Sequence, residues 1–387
     1  MAEKKLSMTV PPGLAVHPEL VPYLGMLRPF ADPYEDIEAT REGFRELLAL
    51  RPADRTGVSS KRYDITRPDG STLTVEVYRP ERAEGAGGSE GSGGTEGPED
   101  SGSTGGPEDS ESTGGPEGSV SAVAGEGLLP AVLHFHGGGY AIGRSLPGQD
   151  RSAIALCREL PAIVVTVEYR LAPEHRYPAG VEDCYLALEW TAEQANGLGI
   201  DPARIAVTGN SAGGGLSAAV ALMARDRGGP TLAYQSMCVP DVDDRVAEQP
   251  LPAVPEDASA DSGADAPPNP WGNSLRTVRL AWQHYLPEGT TVPDPYASPA
   301  RATDLSGLPP AYVLVCDLDP LRDTGLAYAR RLMDAGVPVT VHNVPGAWHG
   351  FELHAPATRL AKEMKAHWKG QLRSALYPEL AEGVGVA

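Results

Sequence analysis

The sequence predicts an α/β fold, a mostly parallel central sheet with helices on both faces, and three observations carry that prediction. From Pro130 onward, apolar runs of buried-strand length at 131–135, 163–167, 205–207, 232–239, 312–316 and 337–344 alternate with helical segments near 148–160, 181–195, 212–225 and 320–335. One of these transitions is abrupt: Ile205-Ala206-Val207 runs through Gly209-Asn210-Ser211-Ala212-Gly213 into a small-residue helix, a strand-to-helix turn that lifts the Ser211 hydroxyl out of the sheet. The chain has 387 residues, 41% of them hydrophobic, enough to bury a large core.

Taken in order, residues 1–50 hold two expected helices, 18–27 and 36–50, the second with Ile37, Phe44, Leu47 and Leu48 at helical spacing. An opening strand pair, 63–66 and 73–78, is joined through Arg67-Pro68-Asp69-Gly70, a turn signal. Residues 81–127 follow, with eleven acids and one arginine, and Gly97-Pro98-Glu99-Asp100 recurs as Gly106-Pro107-Glu108-Asp109. Such a composition buries too little apolar area to offset ordering entropy, so a disordered insertion in a loop of the catalytic domain, 55–380, is expected. Residues 241–299 break the strand–helix rhythm with prolines, acids and the aromatics Trp271, Trp282 and Tyr285. Together with the N-terminal helices they form a candidate helical cap over the strand ends where ligands bind in such sheets.

The formal charge of −20 argues against nucleic acid and anionic membranes as partners, and about half of it lies in 81–127. No signal-peptide core and no run of eighteen apolar residues occur, so a cytoplasmic protein is expected. Cys157, Cys184, Cys238 and Cys316 are widely spaced beside apolar neighbours and read as buried thiols.

A serine hydroxyl is a weak nucleophile at neutral pH and needs a base, an acid to orient that base, and donors for the oxyanion. Gly87-Gly88-Ser89-Glu90-Gly91 repeats the Gly-x-Ser-x-Gly pattern without strand or helix, so Ser89 is set aside. Among nine histidines, His349 lies in a Gly/Pro-punctuated loop directly after the last predicted strand; His342 lies within that strand, and His354 is expected to start the following helix. The acid is expected after the preceding strand, where Asp319, before Pro320, comes first, with Asp317 second and Asp323 third; Asp319 also reads as a helix N-cap. His136-Gly137-Gly138-Gly139 follows the first buried strand. Its unshielded Gly138 and Gly139 N–H groups, with that of Ala212, are the candidate oxyanion donors. A phosphate loop is disfavoured because its lysine and spacing are missing, and His134-x-His136 lacks a third metal ligand nearby.

These motifs resemble the bacterial hormone-sensitive-lipase-like esterases of the α/β-hydrolase superfamily. The resemblance rests on His136 to Gly139, Tyr169-Arg170-Leu171-Ala172-Pro173-Glu174-His175, Pro178-Ala179, Glu182-Asp183, Gly209 to Gly214, Asp319-Pro320-Leu321-Arg322-Asp323 and His349-Gly350-Phe351. It implies an α/β-hydrolase fold with Ser211 as nucleophile, Asp319 as acid and His349 as base. His136, Glu174 and His175 would support the oxyanion region, and no metal or organic cofactor is needed. Short- to medium-chain acyl esters are the implied substrates, and homodimers through the last strand or C-terminal helix are common in relatives. Deacetylation of a specialised metabolite is the alternative reaction, and a non-catalytic small-molecule receptor on the same scaffold is the alternative class. Asn210 departs from the family, which often carries Asp there; a tuned site is expected.

Overall fold

A computed structural model describes residues 15–26, 33–49, 53–81, 127–143, 150–249 and 274–378. Most of the expected insertion at 81–127 with Ser89, and the part of the expected cap that carries Trp271, lie outside these residues. Within the described residues eight strands pair into one sheet, apolar and fully buried at β4 and β7 and more polar at its edges: β1 (Val58–Thr66), β2 (Thr72–Pro80), β3 (Leu129–Phe135), β4 (Ile163–Val167), β5 (Ile200–Asn210), β6 (Tyr234–Cys238), β7 (Ala311–Cys316) and β8 (Val339–Val344). The order is β1-β2-β4-β3-β5-β6-β7-β8. β1 and β2 pair antiparallel and β2 joins β4 antiparallel, while every pairing from β4 to β8 is parallel.

The α-helices among the described residues are α1 (Ile37–Ala49), α2 (Asp150–Glu159), α3 (Ala179–Glu193), the single turn α4 (Ala195–Leu198), α5 (Ala212–Asp226), α6 (Leu275–Tyr285), α7 (Arg322–Asp334), α8 (Phe351–His354) and α9 (Arg359–Leu376). Alternation along the strands divides the core. Leu133, Phe135, Val165 and Val207 pack with α3 and α5 on one face, and Val132, Val164 and Ala206 with α2 and α9 on the other. All thirteen residues from Ala212 to Ala224 are buried, which the Gly/Ala/Ser composition of α5 permits by letting the helix lie close against the sheet. The four cysteines are free and buried, and burial pushes the Cys157 thiol up to about 12.

Several expectations change in detail. Residues 18–26 form a 3-10 helix with Pro22 inside it, because proline removes the donor that an α-helical turn would need. α7 starts at Arg322 with no side-chain cap, so Asp319 is not an N-cap; its Oδ1 instead accepts from Leu321 N at 2.9 Å, an Asx turn ahead of the helix. His354 ends the short α8 and does not open the C-terminal helix.

A buried ion cluster ties the β1–β2 turn to α3. Asp183, 1% exposed, accepts from Arg67 Nε at 2.6 Å, Arg67 Nη2 at 3.0 Å and Arg170 Nη2 at 2.9 Å. Removing the anion leaves the buried Arg67 without a counter-charge. Asp183→Ala is expected to cost about 3 kcal/mol or more, read as a lower denaturant midpoint with an unchanged m-value.

Candidate active site

Strand register brings the two glycine motifs together. Phe135 at the end of β3 pairs with Gly209 near the end of β5, so the chain leaving β3 at His136-Gly137 runs beside Asn210-Ser211. The approach is close enough to require glycine. A Cβ on Gly213 would overlap the Phe135 carbonyl, and one on Gly137 would lie 2.7 Å from the Asn210 carbonyl. Ser211 sits between β5 and α5 at φ 57°, ψ −122°, a strained conformation for a residue with a Cβ. Three backbone bonds hold it: its N–H donates to Cys238 O at 2.9 Å, and its carbonyl accepts from Gly215 N at 3.0 Å and Asp241 N at 3.1 Å. The buried Oδ1 of Asn210 has no hydrogen-bond partner among the described residues.

His349 lies in the turn between β8 and α8, and its Nδ1 donates to Asp319 Oδ2 at 2.7 Å. The Asp319 side chain is 1% exposed and that of His349 15%. The two loops are bound together by Leu318 N to Ala347 O at 2.9 Å. The other two acids take different partners. Asp317 accepts from Asn343 Nδ2 at 2.6 Å and Gly346 N at 3.0 Å, bracing the loop that carries His349, and Asp323 pairs on the surface with Arg322. His342 bonds Tyr312 OH at 2.9 Å within the β7–β8 ladder, and His354 is exposed.

After β3 the chain turns at Gly138 (φ 115°) and Gly139 (φ 55°). The Gly138 carbonyl accepts from Ala141 N and Ile142 N, which folds the turn inward. Among the described residues the N–H groups of Gly138, Gly139 and Ala212 donate to no backbone carbonyl. His136 holds the start of the turn: its Nδ1 donates to Gly137 O at 2.8 Å, and its ring stacks on Tyr169 at 4.2 Å. Burial pushes His136 down to about 4, so the ring is neutral.

Two groups that the sequence reading did not single out bind this loop to the N-terminal helix and to α6. Arg41 on α1 grips Glu174 with both terminal nitrogens, at 2.7 and 2.9 Å, and donates to the carbonyls of Ala141 and Ala172, each at 2.9 Å. His175, by contrast, is exposed, and its ring makes no hydrogen bond among the described residues. Asp241, three residues past the end of β6, accepts from Trp282 Nε1 of α6 at 3.0 Å, and its carbonyl accepts from Tyr140 OH at 2.8 Å. Tyr140 in turn stacks on Tyr285 at 3.9 Å. Apart from Glu38 one turn back on the same helix, the partners of Arg41 lie 100 to 133 residues away, so its role at the site carries no local signal. Asp241 had one: it follows a parallel strand adjacent to the nucleophile's strand, where ligand-binding residues gather.

Burial alone would lower the His349 pKa, but the Asp319 charge and hydrogen bond outweigh it and hold the imidazole above its ordinary value. A general base works in its neutral form, so kcat/KM is expected to rise with pH through an ionisation above the usual histidine value of 6.5 and to be lost below it. Asp319→Asn removes the leading upward influence and leaves burial in place. Its acid limb is expected at lower pH, alongside a lower plateau; a limb that stays put would mean that Asp319 does not act on His349.

No described helix is long and apolar enough to cross a membrane, and no group of three metal-ligating side chains occurs among the described residues. Residues 132–353 match a family model described as the alpha/beta hydrolase fold. The chain is 42% identical over 254 residues to the carboxylesterase NlhH of Mycobacterium tuberculosis, covering 64% of this chain and 75% of that one. It is 31% identical over 354 residues to an ethyl acetate hydrolase of Pseudomonas putida, covering 87% and 92%. Among solved structures, a bacterial heroin esterase superposes with a TM-score of 0.73 at 32% identity, covering 94% of this chain and 98% of that one.

Proposed function

This chain belongs to the hormone-sensitive-lipase-like branch of the α/β-hydrolases and is a serine carboxylic-ester hydrolase, and we propose that Ser211, His349 and Asp319 carry its reaction on short- to medium-chain acyl esters. The observation that supports this assignment best is the 2.7 Å bond between His349 Nδ1 and Asp319 Oδ2, on loops that follow two strands of the sheet whose central β5 ends in the strained Ser211. That bond fixes the imidazole so that Nε2 is the nitrogen free to take a proton.

In the proposed sequence, His349 Nε2 takes the Ser211 proton as the hydroxyl oxygen attacks the ester carbonyl. The carbonyl π electrons move onto oxygen, where the N–H groups of Gly138, Gly139 and Ala212 receive the negative charge. As the tetrahedral intermediate collapses, the imidazolium protonates the departing alkoxide, and the alcohol leaves behind an acyl-Ser211 ester. Water, deprotonated by His349, then attacks that ester, and the returning proton restores Ser211 as the carboxylic acid leaves. The Asp319 carboxylate, bonded to Nδ1, stabilises the imidazolium. None of these steps requires a metal or organic cofactor.

We assign α6 and the N-terminal helix, with Arg41, Trp282 and Tyr285, to the cap over the site. Incubation with p-nitrophenyl butanoate is expected to give turnover that a fluorophosphonate abolishes by labelling Ser211. Turnover without labelling at Ser211 would refute the residue assignment, and absence of both would refute the reaction.

A further inference from the structure

The steps above give no task to Asp241, a buried acid beside the nucleophile elbow. Asp241 is 3% exposed and sits where the nucleophile elbow, the oxyanion turn and α6 meet. Its N–H donates to Ser211 O at 3.1 Å, its carbonyl accepts from Tyr140 OH at 2.8 Å, and Oδ1 accepts from Trp282 Nε1 at 3.0 Å. Oδ2 accepts no hydrogen bond among the described residues. The carboxyl also lies close enough to His349 and Asp319 to respond to their charges. A half-satisfied carboxyl against Tyr140, Trp282 and Tyr285 is costly, and packing together with the Trp282 bond would be served as well by an uncharged asparagine, whose amide oxygen also accepts.

We propose that Asp241 is a specificity-determining residue whose Oδ2 accepts a hydrogen bond from a hydroxyl or ammonium group that the ester substrate carries near its scissile carbonyl. This inference rests on the serine-esterase reading and narrows its substrate class to esters bearing a hydrogen-bond donor. The physical basis is an asymmetry of recognition. An apolar wall separates a hydroxyl from a methyl group weakly, whereas a buried acceptor separates them strongly, because the wrong substrate leaves it unpaired.

The groups facing the carboxyl are Trp282 and Tyr285 from α6, Tyr140 from the oxyanion turn, His349 and Asp319 from the loops after β8 and β7, and Asp243 two residues on. Burial is the largest influence on it and pushes it up to about 7, against the Trp282 hydrogen bond and the His349 charge. The acceptor strength of Oδ2 therefore rises as pH rises through neutrality.

The test compares substrates that differ by hydroxyl for methyl. The acyl-side pair is p-nitrophenyl 3-hydroxybutanoate and 3-methylbutanoate; the alcohol-side pair is 2-hydroxypropyl and 2-methylpropyl butanoate. In at least one pair, the hydroxyl-to-methyl ratio of kcat/KM is expected to fall about tenfold in Asp241→Val and in Asp241→Asn, where the amide presents a donor in place of Oδ2. In the wild type the same ratio is expected to rise between about pH 6 and about pH 8, as the carboxyl ionises. Ratios within about twofold of wild type in both pairs would overturn the inference. Should neither variant fold, a wild-type ratio that stays flat with pH overturns it as well. p-Nitrophenyl butanoate separates the two levels: no turnover of this plain ester by the wild type removes the esterase reading and this inference with it, whereas turnover with unmoved ratios removes the inference alone.

Discussion

Ser211→Ala is expected to reduce kcat by a factor of about 10⁴ to 10⁶ while leaving thermal unfolding near its wild-type midpoint. The large effect follows from covalent catalysis, since the variant has no oxygen with which to form the acyl-enzyme. The small structural effect follows from local geometry. Alanine keeps the Cβ, and the strained φ of 57° is held by backbone bonds to Cys238, Gly215 and Asp241 that do not involve the hydroxyl. His349→Ala is expected to fall in the same range, because serine, base and acid act as a unit and losing either of the first two abolishes the same step. His354→Ala is the control. That histidine is exposed, five residues from His349, and its ring meets Trp348 Nε1 at 3.4 Å, so activity is expected within a few-fold of wild type. Equal losses in His349→Ala and His354→Ala, or fluorophosphonate labelling that survives in Ser211→Ala, would show the wrong residues to have been chosen.

The sheet was legible in the sequence because parallel strands are buried on both faces and therefore spell continuous apolar runs, as Ile163 to Val167 does. Strand ends were less legible. β5 was expected to start at Ile205 but begins at Ile200, because Asp201-Pro202-Ala203-Arg204 reads as a turn and the β3–β5 register shifts between Leu129 and Ala131. Asp319 illustrates a different limit. Pro320 after it suggests a helix start, yet the carboxyl turns inward to His349 and the helix opens at Arg322, a choice made by a residue thirty positions away. Ser211, His349 and the glycine turn were visible because each needs a local backbone shape that glycine or proline marks. Arg41 and Asp241 hold the site through hydrogen bonds across the fold, Arg41 Nε to Ala141 O and Trp282 Nε1 to Asp241 Oδ1; no local pattern encodes the first, and only its place after β6 signals the second.

Gly138→Ala is expected to lower kcat by a factor of about 10² to 10³, the loss that follows when one oxyanion donor is displaced. Gly138 has φ 115°, outside the range that L-residues adopt readily, and its added Cβ would overlap the Ile142 carbonyl. That obstacle is backbone in the same tight turn, so the turn itself must move, and the N–H moves with it. Gly139→Ala makes a useful contrast. Its φ of 55° is accessible to other residues at modest cost, and its Cβ would meet the Tyr34 hydroxyl and the Ala281 methyl, which belong to side chains over the turn. Tyr34 can swing away more readily than the Ile142 backbone can, so the expected loss is smaller, about tenfold. If the effect lies in the oxyanion donors, affinity for a trifluoromethyl-ketone transition-state analogue falls in parallel with kcat/KM across the two variants while KM changes little. A Gly138→Ala enzyme that keeps wild-type kcat would mean that the oxyanion is held elsewhere, and a rise in KM with kcat unchanged would assign the turn to substrate binding instead.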